Sequence, residues 1–269
     1  MRLRTFKKGI HPPGNKERTA SLPIEVLPLP QQVVLPLGQH LGAPSEPVVS
    51  VGAQVLTGQK IAEAKGMVSV PLHASISGRV VAIEPRPHAC GQLTPAIVIE
   101  NDGNERISSE LVSNHNLDEL SAEQIKDLIK QAGLVGMGGA AFPTHVKYSP
   151  PPGKQIEYVI LNGAECEPYL TCDHRLMVER SSDLILGLLA FMKAAKAQKG
   201  FIGVEVNKPD AIANLKQAAA GLPIEVLPLQ VKYPQGEEKM LIYAATGRVV
   251  PVGALPIETG VVVNNVATA

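Results

Sequence analysis

Hydrophobic and polar positions divide the chain into two parts with different periods. From about Gln31 to Asp102, short β-branched runs are cut by glycine, as in "EPVVSVGAQVLTGQKIAEA" and "MVSVPLHASISGRVVAIEP". This pattern predicts a small all-β unit. Further along, apolar runs with strand and helix periods alternate, and strand–helix–strand order predicts a parallel sheet with right-handed crossovers. The pattern therefore predicts an all-β domain followed by an α/β domain.

Caps and breakers place the elements of the α/β part. After the linker "SNHNLDELSA", Ser121 followed by Gln124 is typical of a capping box, and Gly133 is typical of a helix stop. Strands are predicted at "IEYVILN", "FIGVEVN", "IEVLPLQV" and the apolar part of "GVVVNNVATA". Helices are predicted at "SSDLILGLLAFMKAAKAQKG", "KPDAIANLKQAAAG" and "GEEKMLIYAATG".

The first thirty residues are rich in proline and in basic groups, beginning with Arg2, and are predicted to form an extended arm. The predicted domains are therefore an arm over residues 1–30, a β domain over 31–115 and an α/β domain over 116–269. The octapeptide "LPIEVLPL" occurs at Leu22 and again at Leu222. We interpret this echo as coincidence, because one copy lies in the arm and the other fits a buried strand.

Composition and charge exclude several classes of protein. Lys plus Arg and Asp plus Glu both total 25, so no global field favours nucleic acid. Cys90, Cys166 and Cys172 are an odd number without CxxC spacing, which argues against a disulfide framework and against a zinc or iron–sulfur site in this chain. After the basic N-terminus, "GIHPPGNK" stands where a signal peptide needs an apolar run, and the longest apolar stretch, "LILGLLAFM", is too short to span a membrane. We expect a soluble chain in a reducing cytoplasm.

The stretch "GLVGMGGAAFPTHVK" is the first candidate for binding chemistry. Gly136, Gly138 and Gly139 allow positive φ and let main-chain N–H groups approach a flat or anionic ligand. Lys147 supplies a charge for a phosphate. The stretch matches neither the GxxxxGK[ST] phosphate loop nor a Rossmann GxGxxG motif. A plain glycine-rich connector is the alternative.

Three further clusters follow predicted strands. "NGAECEPYLTCDHR" begins where a strand should end, and open α/β sheets bind ligands at that edge. Its candidate binding residues are Asn162, Glu165 and Glu167, whereas Asp173 is interpreted as a helix N-cap and Arg175 as its solvated partner. "YPQGEEK" places two glutamates in a first helical turn, where the helix dipole alone favours them. "VVVNNVATA" offers amides and a hydroxyl, although asparagine is also an ordinary turn residue.

Together, and in this order, the four clusters resemble the flavoprotein that binds FMN and NADH in respiratory complex I. In that family the motifs run G-x-G-G-A-G-F-P-x-x-x-K, N-A-D-E-x-E-P, Y-x-x-G-E-E and N-N-V-E-T; here they read "GMGGAAFPTHVK", "NGAECEP", "YPQGEE" and "NNVAT". With the arm "FKKGIHPPGNK" and the β-rich unit, the chain is similar to the RnfC family of Rnf ion-translocating electron transport complexes. The resemblance implies a biotinyl/lipoyl-like barrel sandwich followed by a Rossmann-like α/β domain of the complex I FMN-binding type.

The resemblance also implies roles for individual residues. It places Phe142 beside the dinucleotide, Glu167 near the nicotinamide, and Glu237 and Glu238 along the flavin and the NADH ribose. Glu165 and Gly236 belong to the same cofactor-binding set. The residues implied to contact FMN are Gly136, Gly138, Gly139, Lys147, Asn162, Tyr233, Asn264, Asn265 and Thr268. No metal ligand and no catalytic acid or base is implied, because hydride passes between cofactors.

Four positions depart from the complex I pattern. Met137, Ala141, Ala164 and Ala267 stand where that pattern has arginine, glycine, aspartate and glutamate. Loss of the aspartate removes one expected hydrogen bond to the flavin, worth about 0.5–1.5 kcal/mol. A scaffold whose flavin site has decayed is therefore one alternative, and a cobalamin reductase of the same flavin fold is another.

The resemblance finally implies a place in a larger assembly. The family continues into a β-grasp module and two 4Fe-4S clusters, so we expect this sequence to be the N-terminal part of a longer protein. NADH would reduce FMN, and electrons would leave through those clusters toward ferredoxin or another low-potential acceptor. The expected partners are the other subunits of the membrane complex, on the cytoplasmic face of the bacterial inner membrane. No nucleic acid is expected.

Overall fold

The computed structural model describes residues 3–111 and 115–269, so Arg2 and the start of the predicted linker, Ser113 and Asn114, lie outside the described residues. The described chain forms two compact units. One comprises Val26–Leu120 and Lys126–Val146, and the other comprises Met1–Glu25, Ser121–Ile125 and Lys147–Ala269. No helix among the described residues is long and apolar enough to cross a bilayer.

The β-rich unit contains two antiparallel sheets. The first has strand order β1-β7-β6-β3 and the second has order β2-β4-β5. The strands are β1 (Gln32–Pro36), β2 (Glu46–Pro47), β3 (Gln54–Val55), β4 (Lys60–Glu63), β5 (Leu72–His73), β6 (Gly78–Pro87) and β7 (Leu93–Asn101). Their inward-facing residues, among them Val55, Ile61 and Ile97, are fully buried in one core. The predicted all-β fold of this unit is confirmed.

The second unit contains a four-stranded parallel sheet with order β10-β9-β8-β11. Its strands are β8 (Tyr158–Gly163), β9 (Lys199–Glu205), β10 (Ile224–Leu229) and β11 (Val261–Asn265). The described residues form the helices α1 (Ala122–Gln131), α2 (Thr144–Lys147), α3 (Cys172–Glu179), α4 (Ser181–Ala195), α5 (Pro209–Ala218) and α6 (Glu238–Thr246). The predicted α/β class with a parallel sheet is confirmed.

Helices cover both faces of this sheet. On one face, a side chain added at Gly200 of β9 would meet Leu188 and Met192 of α4, and one added at Gly163 of β8 would meet Met177 of α3. On the opposite face, Leu241 of α6 packs in a core with residues of all four strands. The chain thus runs from β8 outward to β10 and returns through α6 to β11, on the other side of β8. This reversal is the topological switch point of a doubly wound sheet.

Several predicted boundaries can be compared with the structure. The capping box is confirmed, since the Ser121 N–H donates to Gln124 Oε1 (2.8 Å) and the Gln124 N–H donates to Ser121 Oγ (3.3 Å). The predicted extension of α4 to Gly200 was wrong, because Lys196 adopts a left-handed conformation (φ 56°) that ends the helix. Asp173 is not an N-cap: Thr171 occupies that position in α3.

The arm residues 3–25 belong to the α/β unit and lie along the carboxyl ends of its strands. Arg4 forms a parallel bridge with Leu229 at the end of β10, and Ile10 exchanges backbone hydrogen bonds of 2.9 and 2.8 Å with Tyr233. Phe6 is buried, 7% exposed, beneath the ammonium of Lys232, which lies 4.0 Å from the ring centroid. The arm is therefore packed against the sheet's carboxyl edge.

Candidate functional site

The switch point brings together asparagines from two neighbouring strands. Asn162 lies near the end of β8, and Asn264 and Asn265 end β11. The parallel register pairs Asn265 with Asn162 and Asn264 with Leu161. Because parallel strands end at the same edge, the three predicted asparagines lie at adjacent strand ends, where open α/β sheets bind ligands.

Asn162 connects β8 to the loop that precedes α6. Its Nδ2 donates to the Gly236 carbonyl at 2.7 Å, and its Oδ1 accepts from the Ala164 N–H at 3.1 Å. A Cβ at Gly236 would lie 3.4 Å from both side-chain atoms Nδ2 and Oδ1 of Asn162, so the two residues pack directly against each other. The predicted residues Asn162 and Gly236 are thus brought into direct contact.

Asn264 is almost fully buried, with 2% of its surface exposed. Its amide donates to the hydroxyl of Tyr148, whose ring stacks on Phe191 at 5.0 Å. Burial raises the pKa of Tyr148, so that its hydroxyl stays protonated. Among the described residues, Asn264 Oδ1 has no hydrogen-bond partner. In either orientation of the amide, one of its two polar atoms binds Tyr148 and the other has no hydrogen-bond partner among the described residues.

Asn265 joins the end of β11 to helix α3. Its Nδ2 donates to Asp173 Oδ2 at 2.7 Å, and its Oδ1 accepts from the Ala267 N–H at 2.7 Å. Burial raises the pKa of Asp173, while the bond from Asn265 opposes that shift. Thr268 follows in the short 3-10 helix that Asn265 caps, and it is 5% exposed.

Lys147 and the two glutamates of α6 belong to the same unit. The Lys147 ammonium donates to the Val263 carbonyl of β11 at 2.7 Å and lies 3.6 Å from Glu238 Oε1. Burial raises the pKa of Glu238, and the charge of Lys147 lowers it in opposition. Glu237 is the N-cap of α6 and accepts from the Met240 N–H at 3.0 Å. Lys147 and Glu238 thus form an ion pair beside the edge strand.

Glu165 and Glu167 have different surroundings although they are only two residues apart. Glu165 is 6% exposed, and its Oε1 accepts from the Asp173 N–H at 2.7 Å, which supports the start of α3. Its backbone is left-handed, with φ 46°. Glu167 is exposed to solvent. Of these two glutamates, only Glu167 presents an accessible carboxylate, while Glu165 is used within the protein.

A buried ion pair beneath this loop was missed by the sequence analysis. Lys208 is 1% exposed, and its ammonium donates to the Ala164 carbonyl at 2.8 Å and lies 3.4 Å from Glu205 Oε2. Glu205 also accepts from the Lys232 N–H at 3.1 Å. Burial lowers the pKa of Lys208 and raises that of Glu205, and each charge opposes the shift of the other. The signal was present in "VEVNK", where a glutamate ends a buried strand and a lysine follows three residues later.

The glycine-rich loop, residues 135–143, lies in the β-rich unit. Val135 and Pro143 form an antiparallel bridge, and the Gly136 N–H donates to the Phe142 carbonyl at 2.9 Å, so the loop closes on itself. Within it, Gly138 has φ 68°, whereas Gly136 and Gly139 do not have positive φ, and a Cβ at either would meet nothing closer than 3.6 Å. Of the three glycines that the sequence singles out, only Gly138 therefore uses the left-handed backbone that glycine favours.

Residues 129–269 match the family described as the Nuo51 FMN-binding domain. The chain belongs to this family. Residues 4–104 match the RnfC barrel sandwich hybrid domain. The resemblance to complex I flavoproteins and to the RnfC family is thereby confirmed, together with the order of the two domains.

Curated relatives are similar over almost the whole chain. The chain is 51% identical, over 98% of its length, to a subunit of the Na(+)-translocating ferredoxin:NAD(+) oxidoreductase complex of Acetobacterium woodii, and covers 60% of that protein. It is 48% identical to a subunit of the proton-translocating ferredoxin:NAD(+) oxidoreductase complex of Clostridium ljungdahlii, over 99% of this chain and 58% of that protein. A subunit of the Pseudomonas aeruginosa ion-translocating oxidoreductase complex is 44% identical, over 99% and 34% respectively. The chain thus spans about 60% or less of these relatives.

Proposed function

We propose that this chain binds FMN at the carboxyl edge of its parallel sheet and is the part of an electron transport complex that exchanges electrons with NADH. The observation that carries the proposal is the switch point between β8 and β11, where Asn162, Asn264 and Asn265 lie at adjacent strand ends in a chain of the FMN-binding family. A flavin mononucleotide needs several hydrogen-bond partners for its ribityl chain and one cation for its phosphate.

The residues present fit such a group. Asn264 has a buried amide atom without a partner among the described residues, and ribityl hydroxyls both donate and accept. Lys147 supplies a cation that is 24% exposed, and of the three donors of its ammonium one is directed at Val263 and another faces Glu238. Asn162, Asn265, Thr268 and Tyr233 complete the proposed FMN set in this unit. FMN, when bound, supplies the chemistry that accepts a hydride from NADH and releases single electrons.

The remaining assignments come from the sequence motifs. We propose FMN contacts for Gly136, Gly138 and Gly139, and a place beside the dinucleotide for Phe142. Glu167 is proposed to lie near the nicotinamide, with Glu165 as part of the same loop. Gly236, Glu237 and Glu238 are proposed to line the flavin and the NADH ribose. A carboxylate beside the ribose repels a 2′-phosphate, which favours NADH over NADPH.

The names of the relatives support a proposal for the wider activity. Ferredoxin and NAD(+) are the redox partners in the names of two of them, and ion translocation is in the names of all three. We propose that this chain works in such a complex, that electrons pass to iron–sulfur clusters, and that other subunits hold it at the cytoplasmic face of the membrane. An electron path through clusters agrees with the one-electron steps that a flavin permits.

A flavin titration tests the proposal. Addition of the protein to FMN should quench flavin fluorescence in a saturable manner, and NADH should then bleach the bound flavin. Asn264→Ala should weaken FMN binding up to about tenfold, since one hydrogen bond is worth about 0.5–1.5 kcal/mol. Asn104→Ala, at an exposed loop position, is the matched control and should leave binding unchanged. Absence of quenching by the unaltered protein would refute the proposal and favour a non-catalytic scaffold.

A further inference from the structure

The N-terminal arm holds one loop of the α/β unit at three places. This loop, residues 164–171, follows β8 and leads into α3. The Lys16 ammonium donates to the carbonyls of Glu165 (2.8 Å), Glu167 (3.0 Å) and Leu170 (2.5 Å). A single arm residue therefore binds both halves of the loop.

The loop has a backbone that needs such support. Glu165 has φ 46° and Tyr169 has φ 69°, and neither is a glycine. Residues with side chains adopt this left-handed region only when surrounding contacts enforce it. Lys16 binds the carbonyl of Glu165 itself, and the Tyr169 N–H donates to the Gly14 carbonyl at 2.8 Å. Both strained residues are thus bound directly by the arm.

Two further contacts extend this support. The ammonium of Lys16 lies 3.4 Å from Glu165 Oε2, so it also pairs with a buried carboxylate. Thr171 Oγ1, at the N-cap of α3, donates to Thr19 Oγ1 at 2.7 Å. In contrast, Asn162 and Asn264 are hydrogen-bonded to residues outside the arm. The arm therefore contacts the loop directly, whereas it is connected to Asn162 only through the loop residue Ala164 and to Asn265 only through Asp173.

From this geometry we propose that Lys16 is a positioning residue for dinucleotide binding: the arm fixes the loop that carries Glu167 and so sets the affinity for NADH without setting the affinity for FMN. The inference rests on the proposed function, in which Glu167 lies near the nicotinamide. It assigns a role to the arm that the FMN-contacting motifs do not include.

The test compares Lys16→Met with Lys7→Met in the full-length chain. Lys7 is an exposed lysine of the same arm and provides the matched control. Lys16→Met should raise the KM for NADH about tenfold, equivalent to about 1.4 kcal/mol. It should leave kcat and the FMN dissociation constant close to those of the unaltered chain. Lys16→Arg, which keeps several donors, should restore part of the NADH affinity.

Hydrogen exchange gives a readout that needs no cofactor. Without ligand, amides of residues 164–171 should exchange about tenfold faster in Lys16→Met than in Lys7→Met, since they are released from the arm. Thr19→Ala removes one contact without removing a charge, and it should change the same peptide in the same direction by a smaller factor. This second variant keeps the test decisive if Lys16→Met folds poorly.

The outcomes separate the two proposals. If the unaltered chain binds neither FMN nor NADH, the proposed function fails, while loop exchange still shows whether the arm holds the loop. Equal exchange and equal KM in Lys16→Met and Lys7→Met would overturn the positioning role. A parallel loss of FMN and NADH affinity in Lys16→Met would overturn it as well, because the arm would then be general structural support.

Discussion

Removal of the Lys208 ammonium should destabilise the α/β unit strongly. Lys208 and Glu205 are each 1% exposed, and the pair lies directly below the carbonyl of Ala164. Lys208→Met keeps an unbranched side chain of similar bulk but removes the ammonium, so the buried carboxylate of Glu205 loses its paired cation. Breaking a buried pair in this way costs about 3–5 kcal/mol. Natural domains have only about 5–15 kcal/mol of unfolding free energy, so the cost of breaking this pair is a large fraction of the total stability.

The unfolding free energy lost in Lys208→Met should depend on pH, and the direction of that dependence follows from the titration of Glu205. Burial already raises the pKa of Glu205 above 4.5, and Lys208 opposes that shift. Without Lys208 the folded-state pKa rises further, so the folded state holds a proton that the unfolded state releases. The contribution of Glu205 to the unfolding free energy is then fully present below the pKa that Glu205 has in the unfolded state. It is lost as pH rises through the pKa that Glu205 has in the folded state. Lys208→Met should therefore be less destabilising at pH values near or below the unfolded pKa of Glu205 than at mildly alkaline pH.

Urea unfolding followed by far-UV circular dichroism measures this effect, since the chain has no tryptophan for fluorescence. The control is Lys216→Met, the same change at an exposed position of α5, which should alter stability by less than about 0.5 kcal/mol. Glu205→Gln combined with Lys208→Met removes both charges and should recover most of the loss. If the single variant were as stable as the double variant at mildly alkaline pH, the argument from an uncompensated buried charge would be refuted.

Three other substitutions follow from the same structure. Ala141→Gly should raise the unfolding free energy by about 0.5–1 kcal/mol, measured by urea unfolding, because Ala141 has φ 50° and relief of strain exceeds the entropy cost of glycine; a lower value would contradict the strain. Gly163→Ala should destabilise by about 1–3 kcal/mol in the same assay, since its Cβ would lie 2.5 Å from Met177 Sδ and 3.2 Å from the Gly203 carbonyl oxygen; an unchanged midpoint would contradict the packing described. Glu238→Gln should raise Tm at mildly alkaline pH but not at pH values below the unfolded-state pKa of the carboxyl. Burial raises the folded-state pKa of Glu238, so the contribution of this carboxyl to stability is lost as pH rises through the folded-state pKa. Equal changes in Tm under both conditions would contradict this reasoning.

Much of the α/β order is encoded in local pattern and could be predicted from sequence. The four strands of the parallel sheet appear as apolar runs, and the start of α1 appears as a capping box. The duplicated octapeptide illustrates the limit of local pattern. Its second copy contributes β10, whereas Val26 and Leu27 of the first copy are 94% and 83% exposed. Tertiary context, not the eight residues, decides between strand and arm.

The parts that could not be predicted depend on long-range contacts. The start of α3 was predicted two residues too late, because "CDHRLMVE" has a weak apolar face and its first turn is supported by Glu165 from the preceding loop. Lys16 lies about 150 residues from the carbonyls that it binds. No spacing rule links residues that far apart in sequence. The candidate binding residues could be identified by motif, but the groups that hold them in place required the structure.

The departures from the complex I pattern bear on whether the site has decayed. Ala141 replaces a glycine, yet its backbone keeps the left-handed conformation that glycine favours. Ala164 replaces an aspartate, and it is fully buried in the core with Leu241 and Val263 while its carbonyl accepts from Lys208. At both positions the substitution changes a side chain and leaves an ordered main chain in place. A site that no longer binds a ligand has no need to keep a strained residue, so the left-handed backbone of Ala141 favours retained binding over decay.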